Sequence, residues 1–190
     1  MKRALLAACW MMVACRPDHK QVFTLPLLDR NTHSFSMHAD RIWLDAMPYT
    51  GGLFELQTNG RDTLYVSYYN MGELHGVQKK WFENGTLKEL RYYVRGKKHG
   101  AQTAWWSNGK KRFAFTARND VYDGVLHEWS EDGHLLHLAT YVNGQEEGPQ
   151  KMWYDNGKIR ANYVIRNGKR FGLLGTKNCK NVSDSLPALH

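Results

Sequence analysis

The sequence predicts an all-β protein, an elongated antiparallel β-meander of about ten strands built from 24-residue hairpin repeats in one single-layer twisted sheet. Three observations predict it. Tryptophans and glycines recur 24 residues apart, Asn-Gly or Asp-Gly dipeptides follow those tryptophans, and 17 Gly, 7 Trp and 10 Tyr lie in a polar background. Glycine turns between short aromatic runs are typical of strands joined by tight hairpins. No apolar run reaches the length of about 18 residues that a membrane-spanning helix needs.

The first residues have the pattern of an export signal. A basic pair at positions 2–3 precedes an apolar stretch of 11 residues over 4–14, which suits a signal-peptide core and is too short to cross a bilayer. The run Met-Val-Ala-Cys ending at Cys15 resembles the lipobox of bacterial lipoproteins, with Met12 where that family usually has leucine. The resemblance implies cleavage after residues 1–14 and lipid on Cys15. An ordinary signal peptide and a buried apolar N-terminus are the alternatives.

A lipidated Cys15 predicts a protein anchored to a membrane, since two or three acyl chains hold firmly where a single chain binds only marginally. Arg16 follows the cysteine. In proteobacterial lipoproteins an aspartate at that place signals retention in the inner membrane, so the resemblance favours an outer-membrane-anchored lipoprotein of the bacterial cell envelope. Whether it faces the periplasm or the surface stays open.

Cysteines and charge agree with export. Cys9 leaves with the signal and Cys15 carries lipid, so Cys179 alone remains and no intramolecular disulfide forms in the mature chain. The net charge of +8 falls to +6 without residues 1–14. For an exported protein we expect no nucleic acid as a partner. Anionic lipid, acidic glycan or an acidic protein suits this charge better, and a simply solvated basic surface is an equally good interpretation.

The repeats occupy 48–172. Four complete units span 76–99, 100–123, 124–147 and 148–171, and a degenerate unit spans 51–75. Each complete unit carries one tryptophan of a column followed by a turn dipeptide. The tryptophans are Trp81, Trp105, Trp129 and Trp153, and the dipeptides are Asn84-Gly85, Asn108-Gly109, Asp132-Gly133 and Asn156-Gly157. Such dipeptides tolerate positive φ at both central positions of a type I′ turn and so predict hairpins.

The turn type decides which residues pair across each hairpin. A two-residue turn puts three tryptophans opposite a cation and one opposite a leucine: Trp81 with Lys88, Trp105 with Arg112, Trp153 with Arg160, and Trp129 with Leu136. A cation over an exposed aromatic ring is worth about 0.5–1 kcal/mol. A β-bulge at the turn is the alternative, and it would shift this register.

These residues also carry a resemblance to a known family. The aromatic-x-Asn-Gly turns, the G-x-x-H-G loops at Gly72–Gly76 and Gly96–Gly100 and the Pro-Tyr-Thr-Gly sequence at 48–51 resemble the MORN repeat. The closer likeness is to its bacterial variant, found in proteins labelled YwqK-family antitoxins. The resemblance implies an elongated single-layer sheet that serves as a scaffold or a partner-binding surface. The antitoxin label is a name carried by similarity, and a fold does not give a function.

A candidate binding surface follows from the tryptophan column and its neighbours. It comprises Trp81, Trp105, Trp129, Trp153, Lys79, Lys88, Arg112, His127, Lys151 and Arg160. Strands lie about 4.8 Å apart, so residues two strands on form a stripe across one face. The alternative for the tryptophans is that they hold neighbouring hairpins together, as recurring motif residues usually do.

The flanking segments are expected to add little. We interpret 15–47 as a polar tether with a possible capping strand at Arg41–Asp45, and 173–190 as a C-terminal tail without fixed structure. Leu173 and Leu174 are candidates to finish the last strand.

No catalytic residue, metal site or cofactor is predicted. The only histidine cluster is His127, His134 and His137, of which His127 and His137 can approach across one hairpin near Glu128. A metal needs three or four convergent ligands, and a flat sheet supplies them poorly. No nucleophile elbow or phosphate-cradling loop is present in the sequence, which favours a protein that is not an enzyme.

Three functions are compatible with the sequence. The first is a non-enzymatic, lipid-anchored interaction or scaffold module that binds another envelope protein, as an accessory subunit of an outer-membrane complex would. The second is an antitoxin or immunity-type protein that neutralises a partner toxin. The third is direct binding of anionic lipid or glycan by the basic and aromatic surface. We favour the first as a hypothesis.

Overall fold

The structure, a computed structural model, describes residues 26–175. The predictions for the signal peptide, Cys15, Cys179 and the last fifteen residues of the tail lie outside the described residues. The described strands are β1 Leu27–Asp29, β2 Phe35–His38, β3 Arg41–Leu44, β4 Met47–Pro48, β5 Gly51–Leu56, β6 Thr63–Asn70, β7 Glu73–Trp81, β8 Leu87–Val94, β9 Lys97–Lys98, β10 Gly100–Trp105, β11 Lys111–Arg118, β12 Val121–Tyr122, β13 Gly124–Trp129, β14 Leu135–Val142, β15 Gln145–Trp153, β16 Ile159–Arg166 and β17 Lys169–Leu173. The described residues contain no helix long and apolar enough to cross a membrane.

The repeats form the predicted all-β meander. The main sheet has the order β1-β5-β6-β7-β8-β10-β11-β13-β14-β15-β16-β17, and short β9 and β12 pair back onto β8 and β11. From β5 onward all pairs are antiparallel; β1 joins β5 in parallel. The five predicted units supply the ten strands β5–β8, β10, β11 and β13–β16, two for each unit, as the 24-residue period predicts.

The two faces of the sheet differ in burial. Side chains alternate along each strand, and one face, called here the buried face, contains Leu53, Ser67, Gln78, Gln102, Ala104, Ala117, Leu126, Ala139, Gln150, Ala161, Tyr163 and Ile165. The opposite, exposed face presents side chains such as Tyr92 and Val125, which are 40% and 42% exposed. Small alanines and glutamines let the buried face pack closely. Gln102 Nε2 and Gln150 Nε2 donate to the carbonyls of Tyr92 and Thr140, both at 2.9 Å.

The Asn-Gly turns adopt the bulged alternative, not the two-residue type I′ turn. In the hairpin of β7 and β8, Gly85 N–H donates to Phe82 O at 2.9 Å and Phe82 N–H donates to Thr86 O at 2.8 Å. Among the turn residues only Gly85 has positive φ, while Asn84 does not. This is a three-residue loop, with a type I turn followed by a left-handed glycine. The same bonds recur in the other three complete units.

Type I′ geometry occurs instead between the units. Each connecting turn has two consecutive residues of positive φ: Met71-Gly72, Arg95-Gly96, Asn119-Asp120, Asn143-Gly144 and Asn167-Gly168. Positive φ is costly for residues other than Gly and Asn. The local conformational preferences of Met71 and Arg95 therefore do not favour the backbone conformation that these residues adopt. The pairing of Val94 with Lys97 on either side of one such turn explains why the strained conformation is kept.

The described part of the N-terminal segment, residues 26–47, forms a cap and not the predicted tether. Strands β2, β3 and β4 make a separate three-stranded sheet, so the predicted capping strand exists as β3 but does not extend the array. Ile42 of β3 and Tyr49 pack with Leu53 and Tyr69 of the first hairpin, and partly buried Phe35 joins them. The sequence of 26–38 is mostly polar and does not indicate this packing, because only a few of its apolar residues reach the core.

Candidate interaction surface

The four tryptophans of the column lie on one face of the sheet, and this is the exposed face. Strand alternation puts Lys79, His127 and Lys151 on the same face as Trp81, Trp105, Trp129 and Trp153. The four tryptophans are half-buried, because neighbouring side chains cover part of each ring. The His127 ring stacks on Trp129 with centroids 5.4 Å apart, and Lys111 Nζ lies 5.9 Å from the same ring centroid. The stripe therefore combines hairpin packing with accessible aromatic surface.

The predicted cation partners of the tryptophans are wrong. The tryptophans of the column pair with Leu87, Lys111, Leu135 and Ile159, so Lys88, Arg112, Leu136 and Arg160 are each one residue out of register. The three-residue loop moves each tryptophan to its new partner. A separate β-bulge next to the tryptophan, between Lys80 and Trp81 and at the equivalent place in the other hairpins, leaves one extra residue in each returning strand. We call this extra position the bulge position.

Two of the displaced cations, Lys88 and Arg112, lie over a different set of aromatic rings. Lys88 Nζ lies 5.3 Å from the Phe82 ring centroid, and the Arg112 guanidinium carbon lies 4.8 Å from that of Trp106. Phe82 and Trp106 follow the column tryptophans directly, so the loop and the bulge together replace the predicted cation–aromatic pairs with these two.

The five units show a consistent pairing at these two positions. Where an aromatic residue follows the column position, the bulge position holds a cation; where the residue is not aromatic, it holds leucine. The pairs are Gln57 with Leu64, Phe82 with Lys88, Trp106 with Arg112, Ser130 with Leu136, and Tyr154 with Arg160. This pattern was visible in the sequence, but only the bulged register makes the two positions neighbours.

Two equivalent cavities open beside the leucine-bearing units. Cleft A, about 420 Å³, is lined by Arg30, Glu55, Leu64, Tyr65, Lys80, Trp81 and Lys88. Cleft B, about 410 Å³, is lined by Glu128, Leu136, His137, Met152, Trp153, Tyr154, Asp155 and Arg160. Six residues of cleft A have an equivalent in the lining of cleft B. Without a cation stacked on an aromatic ring, the groove between consecutive hairpins stays unfilled.

The clefts differ in charge. Cleft A gathers three cations around one carboxylate, because Arg30 of the N-terminal cap joins Lys80 and Lys88 there. Lys80 Nζ also lies 3.5 Å from Glu89 Oε2. Cleft B has two carboxylates and one arginine. Arg30 was not among the predicted site residues, since nothing in the sequence indicates that the N-terminal segment reaches this groove.

The histidine cluster does not assemble. His137 Nδ1 lies 3.3 Å from Glu128 Oε2 on the buried face, whereas His127 lies on the exposed face, opposite Leu138. Adjacent positions of a strand point to opposite faces, so the two histidines cannot share a ligand. No three His, Cys, Asp or Glu side chains within 26–175 are grouped as a metal would need.

Burial changes the acidity of several tyrosines. Desolvation raises the pKa of Tyr49, Tyr69, Tyr93 and Tyr141 above the ordinary value of 10.0. At Tyr69 the nearby Tyr65 hydroxyl adds to this effect and Arg30 opposes it. These side chains are neutral packing groups at ordinary pH.

The predicted turn residues have a structural role. Asn84 Oδ1 accepts from Thr86 N–H at 3.0 Å, and Asn84 Nδ2 donates to Ser107 O in the next turn at 2.9 Å. Asn108 repeats both contacts, reaching Glu131 O at 2.8 Å. Asp132 has no side-chain amide, so it cannot donate to the next turn. The backbone carbonyl oxygen of Asp132 accepts a hydrogen bond from Lys110 Nζ.

Two parts of the chain match a family model. Residues 74–95 and 146–163 match the MORN repeat variant. The chain contains MORN-type repeats. The first match covers most of β7 and β8, and the second covers most of β15 with the first part of β16. The predicted resemblance to the MORN repeat is confirmed at these two places, and the units between them keep the same period and hairpin geometry.

Solved structures and curated proteins add little to this. A crystal structure of an S. aureus TarM mutant in complex with Fondaparinux, alpha-GlcNAc-glycerol and UDP is 13% identical, covers 58% of this chain and 21% of the TarM chain, and has a TM-score of 0.33. A second TarM crystal structure has the same identity and coverage and a TM-score of 0.32. Similarity at this level carries no argument about function. The comparison with curated proteins gives no match.

Proposed function

We propose that this protein is a non-enzymatic interaction or scaffold module, tethered to the outer membrane through lipid on Cys15, whose repeat sheet binds another protein of the cell envelope. The anchor and the location come from the N-terminal sequence pattern. The binding role comes from the exposed face of the sheet.

The observation that carries the proposal is the contrast between the two faces. Polar glutamines are fully covered on the buried face, while apolar side chains such as Val125 and Val142 stay 42% and 50% exposed on the other. Contiguous exposed apolar surface rimmed by charge is typical of protein-binding sites. Lys79 and Lys151 supply that charge beside the tryptophan stripe.

Purification of the native complex tests this proposal. The C-terminally tagged protein is isolated from host membranes in mild detergent, beside a Cys15→Ser version. We expect a near-stoichiometric envelope protein to co-purify, and less of it with Cys15→Ser. A protein that purifies alone from both strains would contradict the proposal.

Matched variants connect the partner to the exposed face. Val125→Arg puts a charge in the middle of that face, while Glu131→Arg puts the same side chain at an exposed hairpin tip. We expect the partner to be lost with Val125→Arg and kept with Glu131→Arg. Loss with both variants, or with neither, would exclude the exposed face as the binding surface.

Cleft A favours a second candidate, binding of an anionic lipid headgroup or acidic glycan. Three cations surround its single carboxylate, and attraction to an anionic surface weakens as salt screens it. Salt-sensitive binding to anionic vesicles, lost with Lys88→Glu, would support this candidate. Recovery of a small toxic protein in the purification would instead support the antitoxin function that the family label suggests.

A further inference from the structure

The described sheet ends in a strand that is paired on one side only. Strand β17 pairs with β16 and has no second neighbour among residues 26–175. All five of its residues are exposed. By its place in the 24-residue period, β17 is equivalent to the start of β15, which pairs with strands on both sides. An unpaired edge presents a row of free N–H and C=O groups.

The equivalent strands of the earlier units show which backbone contact this edge lacks within the described residues. In three of the earlier units, the second residue after the connecting turn accepts a backbone hydrogen bond from the next unit's turn. The donor–acceptor pairs are Gly96 N to Leu74 O at 2.8 Å, Asp120 N to Lys98 O at 3.1 Å and Gly144 N to Tyr122 O at 2.7 Å. Arg170 is the last residue of this column, and no described unit follows it.

The hairpin geometry decides which groups of β17 face outward. Arg166 and Lys169 flank the two-residue turn and form a hydrogen-bonded pair, and such pairs alternate along an antiparallel ladder. Phe171 and Leu173 therefore bond to β16. The N–H and C=O groups of Arg170 and Gly172 point away from β16, toward the free edge.

The side chains around this edge are apolar and basic. Phe171 and Leu173 are 56% and 55% exposed. Phe171 lines a cavity of about 580 Å³ together with Val164, Arg166, Asn167 and Lys169. The cations lie near the turn and the apolar side chains lie further along the strand.

We propose that the edge of β17 is a docking site for an extended segment of the partner protein, added as a further strand, with acidic residues beside Arg166 and Lys169 and apolar residues beside Phe171 and Leu173. The inference rests on the proposed interaction function and names the segment that this function recognises. Strand addition supplies main-chain hydrogen bonds, and the side chains supply specificity. The segment runs antiparallel to β17, as the next strand of each earlier unit does.

Charge favours an acidic segment over a second copy of this chain. The β17 strand of a second copy, with the sequence Lys-Arg-Phe-Gly-Leu, has no carboxylate to place beside Arg166 and Lys169. Lysine at an edge strand is a known device against such self-pairing. Arg170 already pairs with Glu146, 3.5 Å away within the same chain, which leaves Arg166 and Lys169 for an acidic partner.

Hydrogen exchange with synthetic peptides tests the docking site on the full chain. The probe is a short peptide with glutamates at one end and alternating valines along the rest, and its control has lysines in place of the glutamates. We expect the glutamate peptide to slow amide exchange of Arg170 and Gly172 by about tenfold or more. The lysine peptide should leave both amides unprotected.

Variants of β17 separate the backbone from the side chains. Arg170→Pro removes an outward N–H and no bond to β16, whereas Arg170→Ala keeps that N–H and removes the side chain. Peptide binding should be lost with the first and kept with the second, in proteins with unchanged far-ultraviolet circular dichroism. The double variant Arg166→Glu/Lys169→Glu should bind the lysine peptide and reject the glutamate peptide.

Several results would overturn the inference. If Arg170 and Gly172 amides are already protected without peptide, another occupant covers the edge: a second copy if light scattering gives a dimer, or the chain's own residues 176–190 if their removal exposes those amides. Equal protection by both peptides would exclude charge recognition. If Arg170→Pro and the double variant keep the native envelope partner, this inference fails while the proposed function stands; if no partner exists, both fail.

Discussion

The two ends of the repeat sheet are built differently. At the N-terminal end, β1 adds in parallel to β5 and the small sheet of β2–β4 packs beside it, burying Ile42 and Leu53 to 2% and 0% exposure. At the C-terminal end, β17 carries only exposed residues. A repeat array buries its core by stacking neighbours, so each terminal unit needs a cap or a partner. One end has its cap within the described chain, and the other presents the surface that we assign to a partner.

Deleting core contacts should show the largest difference between the ends. Ile42→Ala removes a 2% exposed side chain from the cap cluster and is expected to cost about 3 kcal/mol of unfolding free energy, within the range for buried large-to-small changes. Leu173→Ala, at a 55% exposed position, should cost less than about 0.5 kcal/mol. Urea unfolding followed by tryptophan fluorescence measures both. Equal costs would mean that the cap does not stabilise the sheet.

A matched pair of glycines sharpens the comparison. Gly72 and Gly168 hold the same position in their connecting turns, with φ of 81° and 72°. A Cβ on Gly72 would meet Ile42 O at 2.8 Å, while one on Gly168 meets nothing within 4 Å. We expect Gly168→Ala to cost about 1 kcal/mol from backbone strain alone.

Gly72→Ala should cost about 2 kcal/mol more, because the backbone of the cap must also move. The same urea titration compares the two variants. If the two variants lose the same unfolding free energy, the backbone of the cap moves at little cost and its contact with the first connecting turn is loose.

Alkaline pH should weaken the capped end. Burial raises the pKa of Tyr69 above the ordinary 10.0. A raised pKa means that the folded chain keeps a proton which the unfolded chain releases, so this contribution to stability is complete below pH 10 and declines above it. Tyr69→Phe should flatten the decline in unfolding free energy above about pH 10. An unchanged slope would show that Tyr69 does not control the alkaline behaviour.

The smallest expected effects come from two surface ion pairs, one at each end. Arg41 reaches Glu73 at 2.6 Å and ties the cap to β7, while Arg170 and Glu146 are 3.5 Å apart beside β17. Double-mutant cycles should give about 0.5–1 kcal/mol for the first pair and less than about 0.5 kcal/mol for the second, since both are partly exposed. A stronger coupling at Arg170 would reverse the expected order and show an organised C-terminal edge.

Local chemistry explains which predictions succeed. The period of Trp81 to Trp153 and the glycines at constant spacing predict the hairpins, their number and the meander, and all three are confirmed. Asn84-Gly85 predicts a turn, but the dipeptide is compatible with both a two-residue loop and a bulged one. The bulged register moved Lys88 and Arg112 from the tryptophans of the column to Phe82 and Trp106.

The sequence by itself determined the repeat, the ten strands of its five units and the fact that the tryptophans share one face, because strand alternation and turn residues are local and recur five times. Only the tertiary structure decided which face is buried, where clefts A and B open and that the N-terminal segment caps one end. Those features depend on contacts between residues far apart in the chain, such as Arg30 beside Lys88 and Ile42 against Leu53. A periodic pattern carries no information about such contacts, because every unit looks alike until its neighbours and its ends are in place.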